Sequence, residues 1–158
     1  MNEGVGEAVS LALVMFFIVV ISSYLAFTIN YSKAFKVKSK LIDTIQKYNN
    51  EPTNKKVIEE MRKYINEVGY SAADERMKKQ CSGDGRETGY AVGIADQGWC
   101  YQIFEESTDG KGHEKEIKKR YVKVKTFVAI DIPVINRIFG GIRVFTVEGS
   151  TKALNITE

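Results

Sequence analysis

The sequence predicts an α+β fold: a long N-terminal helix, first transmembrane and then amphipathic, followed by a helical pair and about four antiparallel strands. Three observations predict it. Residues 8–29 form an apolar run without a charge. Apolar residues then recur at spacings of three and four as far as Tyr48, the helical period. After Cys81 that period gives way to short alternating runs separated by Gly, Asp and Pro, the signature of strands and turns.

The run from Ala8 to Ile29 reads AVSLALVMFFIVVISSYLAFTI. At about 1.5 Å per residue it is long enough to cross a hydrocarbon core of about 30 Å. Ser10, Ser22, Ser23 and Thr28 do not oppose this, because a hydroxyl can bond back to a carbonyl of its own helix. A cleaved signal peptide is the competing reading. It calls for a basic leader and a shorter apolar core, whereas the leader MNEGVGE has no Lys or Arg. A retained helix is therefore expected. Orientation stays open at this point. Lys33, Lys36, Lys38 and Lys40 follow the span and nothing basic precedes it, which favours a cytoplasmic C-terminal part. Cys81 and Cys100 pull the other way: an oxidising compartment would join them in a disulfide, a reducing one would leave two separate thiols.

Beyond the span, Ala34, Val37, Leu41, Ile45 and Tyr48 lie on one face with lysines between them, predicting one helix from Glu7 to Tyr48, about 63 Å long. Asn49-Asn50-Glu51-Pro52 ends it. The predicted divisions are thus a leader at 1–7, a transmembrane helix at 8–29, its amphipathic continuation at 30–48 and a head domain at 53–158. In the head, Thr53 or Asn54 caps a second helix carrying Val57, Met61, Tyr64, Ile65 and Val68, with Gly69 as its stop. Ser71 to Lys79 reads as a short third helix. Ser82 to Gly85 is a loop. Tyr90 to Ala95 and Trp99 to Phe104 read as a hairpin turning at Asp96-Gln97-Gly98. Glu105 to Glu116 reads as a charged loop. A long strand is expected from Tyr121 to Ile132, with a bulge near Thr126 where the alternation changes phase. Pro133 breaks it, Phe139-Gly140-Gly141 turns the chain, and Ile142 to Lys152 forms the last strand.

The search for chemistry returns little. No nucleophile elbow, phosphate-cradling loop or zinc-binding His-Glu pattern is present. Glu59-Glu60 and Glu105-Glu106 are sequence neighbours and point apart, so both pairs read as solvated surface. His113, the only histidine, sits in an Asp-Gly-Lys-Gly-His-Glu loop. Neither cysteine has a partner at metal-ligand spacing, so no catalytic residue, cofactor or metal is expected. Asn155-Ile156-Thr157 matches a glycosylation sequon. Trp99 reads as core packing. With 23 basic against 20 acidic residues, the charge is too even for a nucleic-acid footprint. The span has no Asp, Glu, Lys, Arg or His on which to build a channel or proton relay.

The order of parts resembles type IV pilin-like proteins, and more narrowly the TadE-like minor pilins (pseudopilins) of bacterial tight-adherence systems. The resemblance rests on Gly6-Glu7-Ala8-Val9-Ser10-Leu11-Ala12-Leu13-Val14 at the start of the span and on Ile29-Asn30-Tyr31-Ser32-Lys33-Ala34-Phe35-Lys36-Val37-Lys38 at its end. More loosely it rests on Asp131-Ile132-Pro133 and the strand ending in Gly149-Ser150-Thr151. It implies a candidate processing site between Gly6 and Glu7. The fifth residue after that glycine is Leu11 rather than the family's usual Glu, which fits a minor or assembly-priming subunit better than a major one. It also implies an extracytoplasmic head on a single-pass membrane protein, compatible with a Cys81–Cys100 disulfide.

On this reading the protein is non-enzymatic and assembles laterally through its helix in a pilus or secretion-type surface apparatus. Its partners are the lipid bilayer and other pilin-like subunits or assembly-platform membrane proteins, with no nucleic acid. Ala8, Ala12, Ser22, Ser23 and Ala26 are the small residues that permit close helix contact. The alternative is a membrane-tethered extracytoplasmic binding or sensor module, which calls for a concave site on the sheet.

Overall fold

The computed structural model describes residues 2–71, 81–83, 85, 89–93, 98–108, 117–128 and 145–156. It has an α+β fold, with helices α1 (Asn2–Lys47) and α2 (Lys55–Val68). Five strands follow: β1 (Ala91–Val92), β2 (Trp99–Thr108), β3 (Ile117–Val128), β4 (Phe145–Ser150) and β5 (Leu154–Ile156). The sheet is antiparallel in the order β1-β2-β3-β4, and β5 also pairs with β3.

α1 is one uninterrupted helix of 46 residues, about 69 Å long. It includes the stretch read as a leader, and it ends one residue before the predicted Tyr48. Asn49 and Asn50 stop it, both with positive φ (57° and 55°), a conformation that Asn tolerates better than most residues. The Asn50 amide donates to the Ile45 carbonyl at 3.0 Å. Pro52 therefore follows a stop that the two asparagines have already made. α2 begins at Asn54, whose side chain accepts from the Lys56 amide. It closes at Gly69 (φ 62°), with Gly69 N–H to Asn66 and Tyr70 N–H to Ile65, the paired 5→2 and 6→1 bonds of a Schellman cap.

The amphipathic stripe of α1 becomes the core. Ala34, Val37, Leu41 and Ile45 are fully buried, and Tyr48 is half-buried. They pack in one cluster with Val57, Met61 and Ile65 of α2 and with Trp99, Val122, Val124 and Phe127 of the sheet. The head is thus built around the C-terminal half of α1 rather than attached to its end.

Two strand readings need correction. β2 and β3 pair as far as Thr108 opposite Ile117, so residues 105–108, read as loop, are strand, and β3 starts four residues before Tyr121. The tip of this ribbon lies beyond the core. Its register sets Glu105 opposite Arg120 and Glu106 opposite Lys119, and cross-strand opposite charges do there what apolar alternation does nearer the helices. The bulge is also elsewhere. Pairing runs unbroken through Trp99 opposite Thr126. The phase change arises because Thr126, Phe127 and Val128 are all buried, so both faces of β3 are covered there.

The bulge lies instead on the last strand. Ser150 pairs with Lys123 and Leu154 with Arg120, leaving Thr151, Lys152 and Ala153 opposite Tyr121 and Val122, one residue extra. Thr151 restores the ladder, its N–H donating to the Val122 carbonyl and its Oγ1 accepting from the Val122 N–H. The single strand predicted over 142–152 therefore ends at Ser150 and resumes as β5. The predicted helix beyond Ser71, the loop with His113, the Asp96-Gln97 turn, residues 129–144 including Pro133 and Gly140-Gly141, and Thr157 lie outside the described residues.

Candidate membrane span and helix-packing surface

One helix among the described residues is long and apolar enough to cross a membrane, which fits a single span or a signal anchor. Val9 to Ile21 point their side chains into open surroundings, with Leu11 66% and Phe16 63% exposed. In water so large an apolar surface would be strongly unfavourable; in a bilayer it is the ordinary state of a spanning helix. Two of the hydroxyls within the run bond back to their own helix: Ser23 Oγ donates to the Val19 carbonyl at 2.7 Å and Thr28 Oγ1 to the Tyr24 carbonyl at 2.9 Å.

The five small residues singled out in the sequence share one side of α1. At about 100° per residue, Ala8, Ala12, Ser22, Ser23 and Ala26 fall within an arc of about 100°. Val37 and Leu41 lie in the same arc and Ala34 at its border, so the small-residue side runs on into the side that carries the head. Burial agrees. Ala8, Ala12 and Ser22 are exposed, whereas Ser23, Ala26 and Phe27 are half-buried. The head reaches down at least to Phe27, whose ring meets Phe145 edge-on at 5.7 Å. Only Ala8, Ala12 and Ser22 are therefore fully open to a neighbouring helix. Gly6 has nothing within 4 Å of where a Cβ would stand. Gly6 and Glu7, the candidate processing site, lie inside the first turns of α1 and are exposed.

The lysines after the span tie the helices together. Lys33 Nζ donates to the Gly69 carbonyl at 3.1 Å, completing the C-terminal cap of α2. Lys40 and Lys47 both reach Glu60, at 2.9 and 3.3 Å. Hydrogen bonding from Lys40, joined by Lys47, holds the Glu60 carboxyl below its ordinary value despite some desolvation. Glu60 in turn raises Lys47. Glu60 is thus a clamp between α1 and α2, unlike exposed Glu59, and the expectation of plain solvated surface holds for only one of the two. Lys38 lies over the Phe35 ring at 4.1 Å. Thr28, Ile29, Ser32, Lys33 and Lys36 of α1, with Tyr64 and Val68 of α2, line a groove of about 780 Å³ at the end of the span.

Cys81 and Cys100 form a disulfide, with Cα atoms 5.9 Å apart. It fastens the segment before β1 to the middle of the sheet, and both residues are buried. Closing a loop of this length removes about 3 kcal/mol of chain entropy from the unfolded state. Trp99 beside it is fully buried, as its reading as core requires. On the face of the sheet opposite to Trp99, Phe104 stacks on Tyr121 at 4.9 Å with Lys123 over its ring; the adjacent Glu105–Arg120 pair, 2.6 Å apart, lies by strand alternation on the same face as Trp99. Asn155, the sequon residue, is exposed on β5. Among the described residues no three of His, Cys, Asp and Glu come together in a way that could hold a metal.

Two structural keys were missed in the sequence. The Asn50 side-chain amide donates to the Arg120 and Lys152 carbonyls, both at 2.8 Å, plugging the bulge between β4 and β5 from the end of α1. Tyr70 Oη lies 2.6 Å from the Gly98 carbonyl and 2.9 Å from both the N–H and the carbonyl of Phe127. β2 begins opposite Thr126, so Tyr70 serves the backbone groups that a longer β2 would have paired. Burial pushes its phenol well above the ordinary value, only partly offset by the hydrogen bond from Phe127. The signals were local: paired asparagines at a helix end, and a large residue directly after a capping glycine. Compared with known protein families, curated proteins and solved structures, the chain finds no match.

Proposed function

We propose that this chain is a non-enzymatic, single-pass subunit of the minor pilin-like (pseudopilin) kind, with its head outside the cytoplasm. It associates laterally through α1 with other pilin-like subunits or assembly-platform proteins of a pilus or secretion-type surface apparatus. One observation carries the reading: a single continuous helix has a largely exposed apolar run, free of charge from Ala8 to Ile29, and a C-terminal half that is the core of the head. Such a helix couples the head rigidly to whatever its apolar half packs against. A tether for an independent sensor has no need of that coupling. The disulfide supports an oxidising compartment for the head. Of the four lysines after the span, Lys33 and Lys40 have partners on α2, so half of the lysine count has a role in the head itself.

The small-residue side and the head lie on one side of α1. A partner helix at Ala8, Ala12 and Ser22 therefore sits below the head's overhang, staggered along the axis. This staggered contact can be tested in native membranes by bifunctional crosslinking. Ala12→Leu with Ser22→Leu is the informative pair, because neither position touches the head. Crosslinked oligomers should fall several-fold in this variant, and undiminished crosslinking would count heavily against lateral assembly through this side.

A further inference from the structure

We propose that the groove between α1 and the last turn of α2 seats the headgroup of an anionic phospholipid; the proposal rests on α1 being the membrane anchor. The groove begins where the apolar span ends. Thr28 and Ile29 line its membrane end in sequence order, and Lys33 and Lys36 are the first charges after the span. A headgroup layer is about 5–7 Å deep on each side of the hydrocarbon. Lys33 lies about 6 Å and Lys36 about 10 Å along the axis from Ile29, and lysine stems reach back toward such a layer.

The opposite wall comes from α2. Its last turn is held at this level by the Schellman cap and by Lys33 on the Gly69 carbonyl. Tyr64 and Val68 present an aromatic and an apolar surface there, the pairing favoured at a membrane boundary. The volume, about 780 Å³, suits a small ligand. No carboxylate is among the residues that line it.

The charge is also available. Lys40, Lys47, Lys125 and Arg120 all have carboxylate partners. Lys36 is exposed and has no ion-pair partner among the described residues. Lys33 keeps two N–H donors after its bond to Gly69. An anionic phosphate between Lys33 and Lys36, with its glycerol against Tyr64 and its acyl chains leaving past Ile29, matches the groove in sign and polarity. A zwitterionic headgroup brings its own cation and matches less well.

The full-length protein in vesicles tests this with photoreactive phosphatidylglycerol against phosphatidylcholine carrying the same reactive acyl chain. Labelling by phosphatidylglycerol should concentrate on peptides containing residues 28–36 and 64–68. Lys36→Gln should lower it about fivefold, the share of one lysine at an anionic surface, and Lys33→Gln with Lys36→Gln should lower it further. Lys55→Gln with Lys56→Gln, at the far end of α2, should leave it unchanged. Equal labelling by both lipids, or indifference to Lys36→Gln, would overturn the proposal. So would suppression by soluble glycerol phosphate, which would make a soluble anion the occupant. Alkaline extraction of the same vesicles separates the two readings. Protein that washes out fails the anchor; protein that stays but labels both lipids alike fails only the headgroup seat.

Discussion

Replacing Tyr70 by Phe keeps the ring and removes one oxygen that serves three backbone groups of the sheet. The hydroxyl donates to one carbonyl at a time, that of Gly98 or of Phe127, and accepts from the Phe127 N–H. The residue is 8% exposed, so water does not readily replace the lost oxygen. An unpaired buried N–H costs about 1–3 kcal/mol, and a lost hydrogen bond about 1 more. Tyr70→Phe should therefore destabilise the head by about 2–4 kcal/mol. Denaturation of the full chain in micelles, followed by fluorescence of Trp99, reads this directly, because Trp99 is the only tryptophan and is fully buried. A pH series adds an independent check. The Tyr70 phenol is raised in the folded state above its ordinary 10.0. Its contribution is present in full below that value and is lost as pH rises past it, since only the unfolded phenol ionises. The gap between wild type and Tyr70→Phe should thus narrow above pH 10. A variant within about 0.5 kcal/mol of wild type at neutral pH would refute the assignment of Tyr70 as the cap of the β2–β3 pair.

Three further outcomes follow from the same contacts. Asn50→Gly keeps the positive φ but removes both bonds to the bulge, and should cost about 1–3 kcal/mol; Asn50→Ala should cost more because it adds backbone strain, and amide exchange should rise at Val122 and Thr151. Thr44→Val should be neutral or stabilising by about 1 kcal/mol, because the buried Thr44 hydroxyl has no hydrogen-bond partner among the described residues; clear destabilisation by thermal melting would reveal a hidden partner. The Glu60 clamp should matter above pH 4.5, the ordinary value below which its carboxyl is held, and fade as pH falls through its lowered folded value. Melting temperatures of wild type and Glu60→Gln should therefore converge in acid, and a gap that persists there would contradict the pairing with Lys40 and Lys47.

The helical half of this molecule was legible in the sequence because its periods are long. The spacing of Ala34, Val37, Leu41 and Ile45 cannot be mistaken for a strand, and all four are buried. Gly69 could be read as a stop because a left-handed residue closes the cap. The sheet was less legible where its pattern is written in charge. Glu105-Glu106 read as loop, and Lys119-Arg120 fall outside the expected strand, until their cross-strand register makes them pairs. Thr126 misled because alternation marks a strand with one buried face, and β3 is buried on both near its end. The bulge at Thr151–Ala153 was invisible because its cause, the Asn50 side chain, lies about 100 residues earlier in the chain. The same limit applies to Glu60. Adjacency to Glu59 suggested solvent, while its partners Lys40 and Lys47 lie about two turns apart on a different helix.

The side of the membrane on which the head lies tests the central claim most directly. Intact cells should be treated with a membrane-impermeant amine reagent, and modification read at Lys119 and Lys123, both exposed on β3. An exported, disulfide-closed head predicts modification of both before lysis, with Cys81 and Cys100 resistant to thiol alkylation. Protection of both lysines until the cells are broken, with two alkylatable cysteines, would place the head in the cytoplasm and contradict the pilin-like reading.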